Sequence, residues 1–314
     1  VPENLMSKPT LVWKLESKLA KQKVEATYLT QSLNWRSDYV FVINDADSAG
    51  DLTGWVTLVN NSGASYKNAR LKLVAGDVQR VSARDEMDDE RSYKKSAESA
   101  GARRFAEESF FEYHLYTLSQ PTDVLENEQK QVTLLEAKNA KVQKKLIYFG
   151  QQYWYRGRHG EVQKNQKVGV YLDVQNTKAN GLGIPLPKGT VRVYKADKSG
   201  AKQFIGEDNI DHTPRDEKVR IKMGEAFDVV GDRKQMEWRT LGTCSSESTW
   251  EIELRNHKDQ ASRVEIFEPI GGDWTMVEST HKHDKKDAHT FTFDVNVPAN
   301  GKTKIKYKIR VKWC

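Results

Sequence analysis

The chain has 314 residues, 30% of them charged, with 50 basic and 44 acidic side chains and a net charge of +6. That length exceeds one ordinary core and predicts about two domains, while a mean hydropathy of −0.75 argues against the fully buried strands of a parallel sheet and for strands with one wet face. No run of about 18 apolar residues occurs, which excludes a transmembrane helix, and the mild basic excess permits an anionic partner without requiring one.

The chain opens Val1-Pro2-Glu3-Asn4-Leu5 with no leader, which predicts a processed or trimmed product. Thr10-Leu11-Val12-Trp13-Lys14-Leu15 predicts a first strand behind a free extended segment. Period-two alternation then predicts strands at Val40-Phe41-Val42-Ile43, Trp55-Val56-Thr57-Leu58-Val59 and Leu71-Lys72-Leu73-Val74. From Arg80 to Ser109 the pattern breaks: the segment is charged, rich in Ala and Ser, and almost without β-branched residues. It reads as a disordered or marginally helical insertion between two strands. Tyr148-Phe149-Gly150-Gln151-Gln152-Tyr153-Trp154-Tyr155-Arg156 is an aromatic cluster, read first as interdomain core and second as a surface stacking on sugars or bases. Further strands follow at Val168 to Val174, Trp250 to Leu254 and Phe291 to Val295, with turn chemistry such as Asn60-Asn61-Ser62-Gly63 and Pro298-Ala299-Asn300-Gly301 between strands.

A weak internal duplication runs through this series. WVTLVNNSGASYKNARLKLV, ending at Val74, shares its plan with WEIELRNHKDQASRVEIF, from Trp250 to Phe267. Downstream of each lies an aromatic strand, Pro, a polar turn and a Lys- or Gln-rich strand, at Phe111 to Leu135 and at Phe291 to Ile309. The expected fold is therefore all-β, two tandem antiparallel β-sandwich halves of the immunoglobulin type. Residues 1–140 form the first, with the charged insertion at 80–109, and residues 141–314 form the second.

Three stretches carry a family resemblance: YLTQSLNWRSDYVFVINDADSAGDLTGWVTLVNNSGASYKNARLKLVAGDVQRV from Tyr28, FFEYHLYTL from Phe110, and LPKGTVRVYKADKSGAKQFIGEDNIDHTPRDEKVRIKMGEAFDV from Leu186. Together they resemble the bacterial domain of unknown function 4139, a group of envelope and exported proteins. The resemblance implies a β-rich fold, an extracellular or cell-envelope location, and an amino-terminal region with an export signal upstream of Val1. It supplies no catalytic residues to carry over.

Cys244 and Cys314 are the only cysteines. Spacing alone leaves two outcomes open, a disulfide in an oxidising compartment or two free thiols; the exported resemblance turns the expectation toward a disulfide. Neither a structural zinc site nor a Cys-x-x-Cys-His haem attachment can be built from them. Asn44 to Asp51 opens like an EF-hand loop, with Asp45 and Asp47 as cation candidates, but Val56 stands at the twelfth position where Glu is needed, so a solvated Asx-rich turn is the first reading. His281 and His283 could share one face of a strand and one ion, yet Lys282, Lys285 and Lys286 surround them, which favours a solvated hairpin tip. Gly181-Leu182-Gly183-Ile184-Pro185 lacks the helix that a phosphate loop needs, and Ser245-Ser246 has no nucleophile-elbow context.

The sharpest pattern is the last strand. Lys302, Lys304, Lys306, Lys308, Arg310 and Lys312 occupy alternate positions, and Ile305, Tyr307, Ile309, Val311 and Trp313 fill the other face. The first reading pairs these cations with acidic neighbours such as Glu251 and Glu253; the second makes them an anion-binding stripe. The functional expectation is a non-enzymatic secreted or cell-surface structural protein without cofactor, self-associating and filament-forming through strand edges and the charged insertion. The alternative is an envelope-associated binding module for an anionic polymer such as polysaccharide or nucleic acid.

Overall fold

The structure is a computed structural model that describes residues 12, 14–18, 21–76 and 105–314. The expected first strand and most of the charged insertion lie outside the described residues, apart from Val12, Lys14 and Leu15, which are not in a strand.

The fold is all-β, and the strands follow the alternation of the sequence. The first group comprises β1 (Leu33–Ile43), β2 (Ala49–Asn60), β3 (Tyr66–Ala69), β4 (Lys72–Ala75), β5 (Phe105–Phe110), β6 (Tyr113–Leu118), β7 (Thr122–Val124) and β8 (Glu128–Phe149). Residues 105–109, expected inside the insertion, are thus strand: they pair antiparallel with β6 through Phe105↔Leu118 to Ser109↔His114. A linking group follows: β9 (Glu161–Gln175), β10 (Gly189–Ala196) and β11 (Lys202–Ile210). The last group holds β12 (Lys218–Gly242), β13 (Ser245–Asn256), β14 (Ser262–Pro269), β15 (Asp273–Ser279), β16 (His283–Asp287), β17 (Thr290–Val297) and β18 (Gly301–Lys312).

One continuous path runs β11-β10-β1-β2-β8-β9-β12-β13-β18-β15. It contains the same three-strand order twice, β1-β2-β8 and β12-β13-β18. Each is matched by a second trio, β4-β6-β5 for the first and β14-β17-β16 for the second. Side chains from both trios share a core: Tyr39, Phe41, Val56 and Leu58 meet Leu73 and Tyr116, while Trp250, Ile252, Ile305 and Tyr307 meet Val264, Ile266, Phe291 and Phe293.

Two buried asparagines show the duplication at atomic detail. Asn60 Nδ2 donates to the carbonyls of Ala64 (2.8 Å), Val124 (3.3 Å) and Leu125 (2.9 Å). Asn256 Nδ2 donates to those of Gln260 (2.8 Å), Val297 (3.3 Å) and Pro298 (3.1 Å). In both, Oδ1 accepts the N–H two residues on, from Ser62 and from Lys258, each at 3.1 Å. The next N–H after each asparagine also has a matched partner: Asn61 donates to Ser32 O and His257 to Asp228 O, both at 2.8 Å. One amide therefore closes each corner, satisfying carbonyls that the turn would otherwise bury unpaired.

The cores do not follow the expected division at residue 140. That residue sits inside β8, whose first part pairs with β2, whose residues 142–147 pair with β9, and whose end runs parallel to β14. β10 pairs parallel with β1, so Val191 and Val193 join the first core, as do Val219 and Ile221 at the start of β12. Lys222 N–H donates to Asp208 Oδ2 at 2.7 Å, bringing β11 against β12 and curling the sheet around that core. Alternation in one strand reports which face is buried but not which neighbour covers it.

Candidate functional site

The basic strand β18 lies beside β13, whose outward residues are Glu247, Thr249, Glu251, Glu253 and Arg255. The register sets Glu251 opposite Lys306, Glu253 opposite Lys304 and Glu247 opposite Arg310. Lys304 Nζ lies 3.2 Å from both Glu251 and Glu253, Lys306 3.1 Å from Glu251, Lys302 3.8 Å from Glu253, and Arg310 2.9 Å from Glu247. Lys308 reaches Glu278 at 4.0 Å, and Lys312 alone of the six has no ion pair among the described residues. Partial burial disfavours the charge on Glu251 and Glu253, but hydrogen bonds from the lysines outweigh it and hold both carboxyls below their ordinary range. The cationic stripe is thus one half of a charge ladder, whose solvent-screened rungs each add little to stability.

The sequence-level cation candidates separate in space. Asp47, at φ 53°, receives Lys144 at 2.6 Å and Lys195 at 2.5 Å. Burial opposes its charge, yet these two hydrogen bonds hold its carboxyl below the ordinary range. Asp45 contributes its carbonyl oxygen to Lys195 at 2.9 Å, and Asn44 Oδ1 accepts the N–H groups of Ser48 and Ala49, so the loop is an Asx turn neutralised by lysines. The His283 ring rests against Trp274, Phe291 and Phe293, while His281 Nδ1 meets Thr280 Oγ1 at 3.0 Å. Among the described residues no group of three or more His, Cys, Asp or Glu side chains could hold a metal ion. Cys244 and Cys314 are joined, with Cα atoms 5.6 Å apart, and Trp313 N–H donates to Cys244 O at 2.8 Å.

The aromatic cluster divides. Tyr148, Trp154 and Tyr155 are buried, whereas Tyr153 is 59% exposed. The buried rings enclose a charge pair that sequence reasoning missed. Arg233 of β12 and Glu268 of β14 are both wholly buried, with Nη2–Oε1 at 2.6 Å and Nη1–Oε2 at 2.7 Å. Tyr155 donates to Glu268 Oε2 at 2.8 Å, and its hydroxyl lies 2.7 Å from that of Tyr307. The guanidinium stacks over Trp154 at 4.8 Å and Tyr148 at 5.3 Å. Burial disfavours the Arg233 charge, but Glu268 more than restores it; burial also pushes the phenols of Tyr155 and Tyr307 well above their ordinary value, so both stay neutral. Gly150 is required here, because a Cβ at that position would sit 2.2 Å from Glu268 Oε2 and 2.7 Å from Arg233 Nη1. The signal was present in the alternation: Glu268 continues the inward series Val264, Ile266, and Arg233 the series Val229, Gly231.

From this centre β12 continues to the surface. Its Gln235 is buried and clamps the loop after the aromatic turn: Oε1 accepts His159 N–H at 2.5 Å, Nε2 donates to Gly157 O at 3.0 Å, and its own N–H donates to Gly160 O at 2.9 Å. A bulge follows, since Gln235 opposes Trp250 and Glu237 opposes Thr249, leaving Met236 as the extra residue. Between the clamped loop and the bulged strand lies a groove of about 610 Å³. Arg158 and His159 form one wall, Glu237, Trp238 and Arg239 the other, and Glu247, Thr249 and Lys308 line it from the ladder.

A family model described as Domain of unknown function (DUF4139) matches residues 24–314. The chain belongs to that family. Nothing among curated proteins matches it. The match spans both trios and the linking strands, so this DUF4139 chain carries the duplicated corners, the buried charge pair and the groove within the family region. No helix among its described residues is long and apolar enough to cross a membrane.

Proposed function

We propose that this DUF4139 protein is a non-enzymatic structural subunit of the bacterial exterior, self-associating through the tip of the β5–β6 hairpin. The observation that carries this reading is the tip itself. Phe110 is 57% and Phe111 84% exposed, and Phe111 adopts φ 58° in a two-residue link between the strands. Two-residue hairpins favour Asn-Gly there, and a left-handed backbone costs a bulky residue about 1–2 kcal/mol. A phenylalanine held at that cost in water suits a contact that covers it. β5 is also the end strand of its sheet among the described residues, which leaves an edge for main-chain pairing. A tip that docks on a different surface of the next copy makes a head-to-tail contact, and an open one extends into a filament.

The disulfide suits an oxidising, exported setting. The two pairs of trios, each around its own core, support reading the units as sandwiches of the immunoglobulin type. The anionic-polymer reading stands second, because five of the six terminal-strand cations already face glutamates. Sedimentation velocity and micrographs of the parent and of F110S/F111S test the proposal. The parent should assemble and the variant should remain monomeric; a parent that is monomeric at every concentration overturns it.

A further inference from the structure

We infer that the groove between the 157–160 loop and the bulged end of β12 is a binding site for an acidic oligosaccharide, one whose sugar rings carry occasional carboxylates. This inference is independent of the assembly proposal. The groove differs from the neighbouring charge ladder in what is left unused. Arg158 and Arg239 line it, and neither guanidinium makes an ion pair or side-chain hydrogen bond among the described residues. Glu237 receives only the Thr249 hydroxyl, at 3.3 Å. His159 Nε2 is shut off from solvent and has no hydrogen-bond partner.

The walls are held before any ligand arrives. Three hydrogen bonds tie the loop to Gln235, which is 7% exposed. The opposite wall is fixed by the β12–β13 ladder, where Trp238 pairs with Ser248 and Arg239 with Glu247. Pre-organised walls reduce the ordering cost of binding. A volume of about 610 Å³ falls within the range of about 300–1,000 Å³ found for small-ligand sites.

The lining selects the ligand class. Guanidinium groups present a planar fork that matches a carboxylate. Glu237 and the Glu247 oxygen not engaged by Arg310 can accept hydrogen bonds from sugar hydroxyls, and half-buried Trp238 supplies aromatic surface for the C–H side of a sugar. An apolar ligand finds mostly polar walls. A dense polyphosphate or nucleic-acid backbone meets two carboxylates among the groove's cations, which makes a sparsely charged, hydroxyl-rich chain the better match.

The test is calorimetric titration of the full chain with tetragalacturonate, with maltotetraose as the neutral control and tripolyphosphate as the densely charged control. Tetragalacturonate should bind, and both controls should bind at least about tenfold more weakly. R158A and R239A should each weaken tetragalacturonate binding by about tenfold, the loss of one charge-assisted contact. W238F should retain binding that W238A loses, separating stacking from folding, and matched thermal unfolding of all variants confirms the fold. K304A/K306A, on the paired ladder, should bind as the parent does. No detectable tetragalacturonate binding at millimolar concentration overturns the inference, as does equal binding of tripolyphosphate or undiminished binding by R158A/R239A.

Discussion

Replacing Glu268 by Gln removes one charge from a pair sealed inside the second core. Both side chains are 0% exposed, and the two N–O distances are 2.6 and 2.7 Å. Breaking a buried pair from one side costs about 3–5 kcal/mol, because the surviving charge keeps its desolvation penalty and loses its partner. E268Q should therefore lower unfolding stability by about 3–5 kcal/mol, read in urea by the fluorescence of Trp154 and Trp250, which lie in the same core. R233M/E268L buries no charge, so its cost should be smaller, within about 2 kcal/mol of the parent; the Met side chain can keep the packing against Tyr148 and Trp154. An E268Q variant within about 1 kcal/mol of the parent, or a double variant as unstable as E268Q, would refute the assignment of a sealed pair.

Three further outcomes follow from the same geometry. N60A and N256A should each cost about 2–4 kcal/mol, since each strands backbone carbonyls that its amide now satisfies; equilibrium unfolding showing one corner indifferent would break the equivalence of the two units. Burial opposes the charge on Asp173, but Arg220, bonded at 2.7 and 2.8 Å, more than compensates and depresses its pKa. The sign for a depressed carboxylate is stability present above the unfolded value near 4 and lost as pH falls through the folded value, so D173N should flatten the acid limb of a stability–pH profile. The Cys244–Cys314 link closes 70 residues and is worth about 4 kcal/mol by loop entropy; non-reducing mass analysis should find no free thiol, and C244S/C314S should melt earlier than the parent.

Period-two alternation was enough to place the strands. The alternation at Val40–Ile43, Trp55–Val59, Trp250–Leu254 and Phe291–Val295 became β1, β2, β13 and β17 because a period of two buries one face of any strand, whatever its neighbours. The sequence also determined the duplication, whose matched turns hold Asn60 and Asn256, and it named Glu251 and Glu253 as neighbours of the terminal lysines. The sequence alone could not say how those pieces join. β8 and β12, with 22 and 25 residues, each serve two sheets, and β10 returns to pair with β1 across about 150 positions; such pairings depend on register between distant segments, which no local pattern encodes. The same limit hid the charge centre and the groove. Arg233 and Glu268 are 35 residues apart, and only the meeting of β12, β14 and the aromatic turn supplies the burial that makes their charges matter. Arg158 and Arg239 look like any surface arginines in the chain; the bulge at Met236 and the Gln235 clamp set them across one groove.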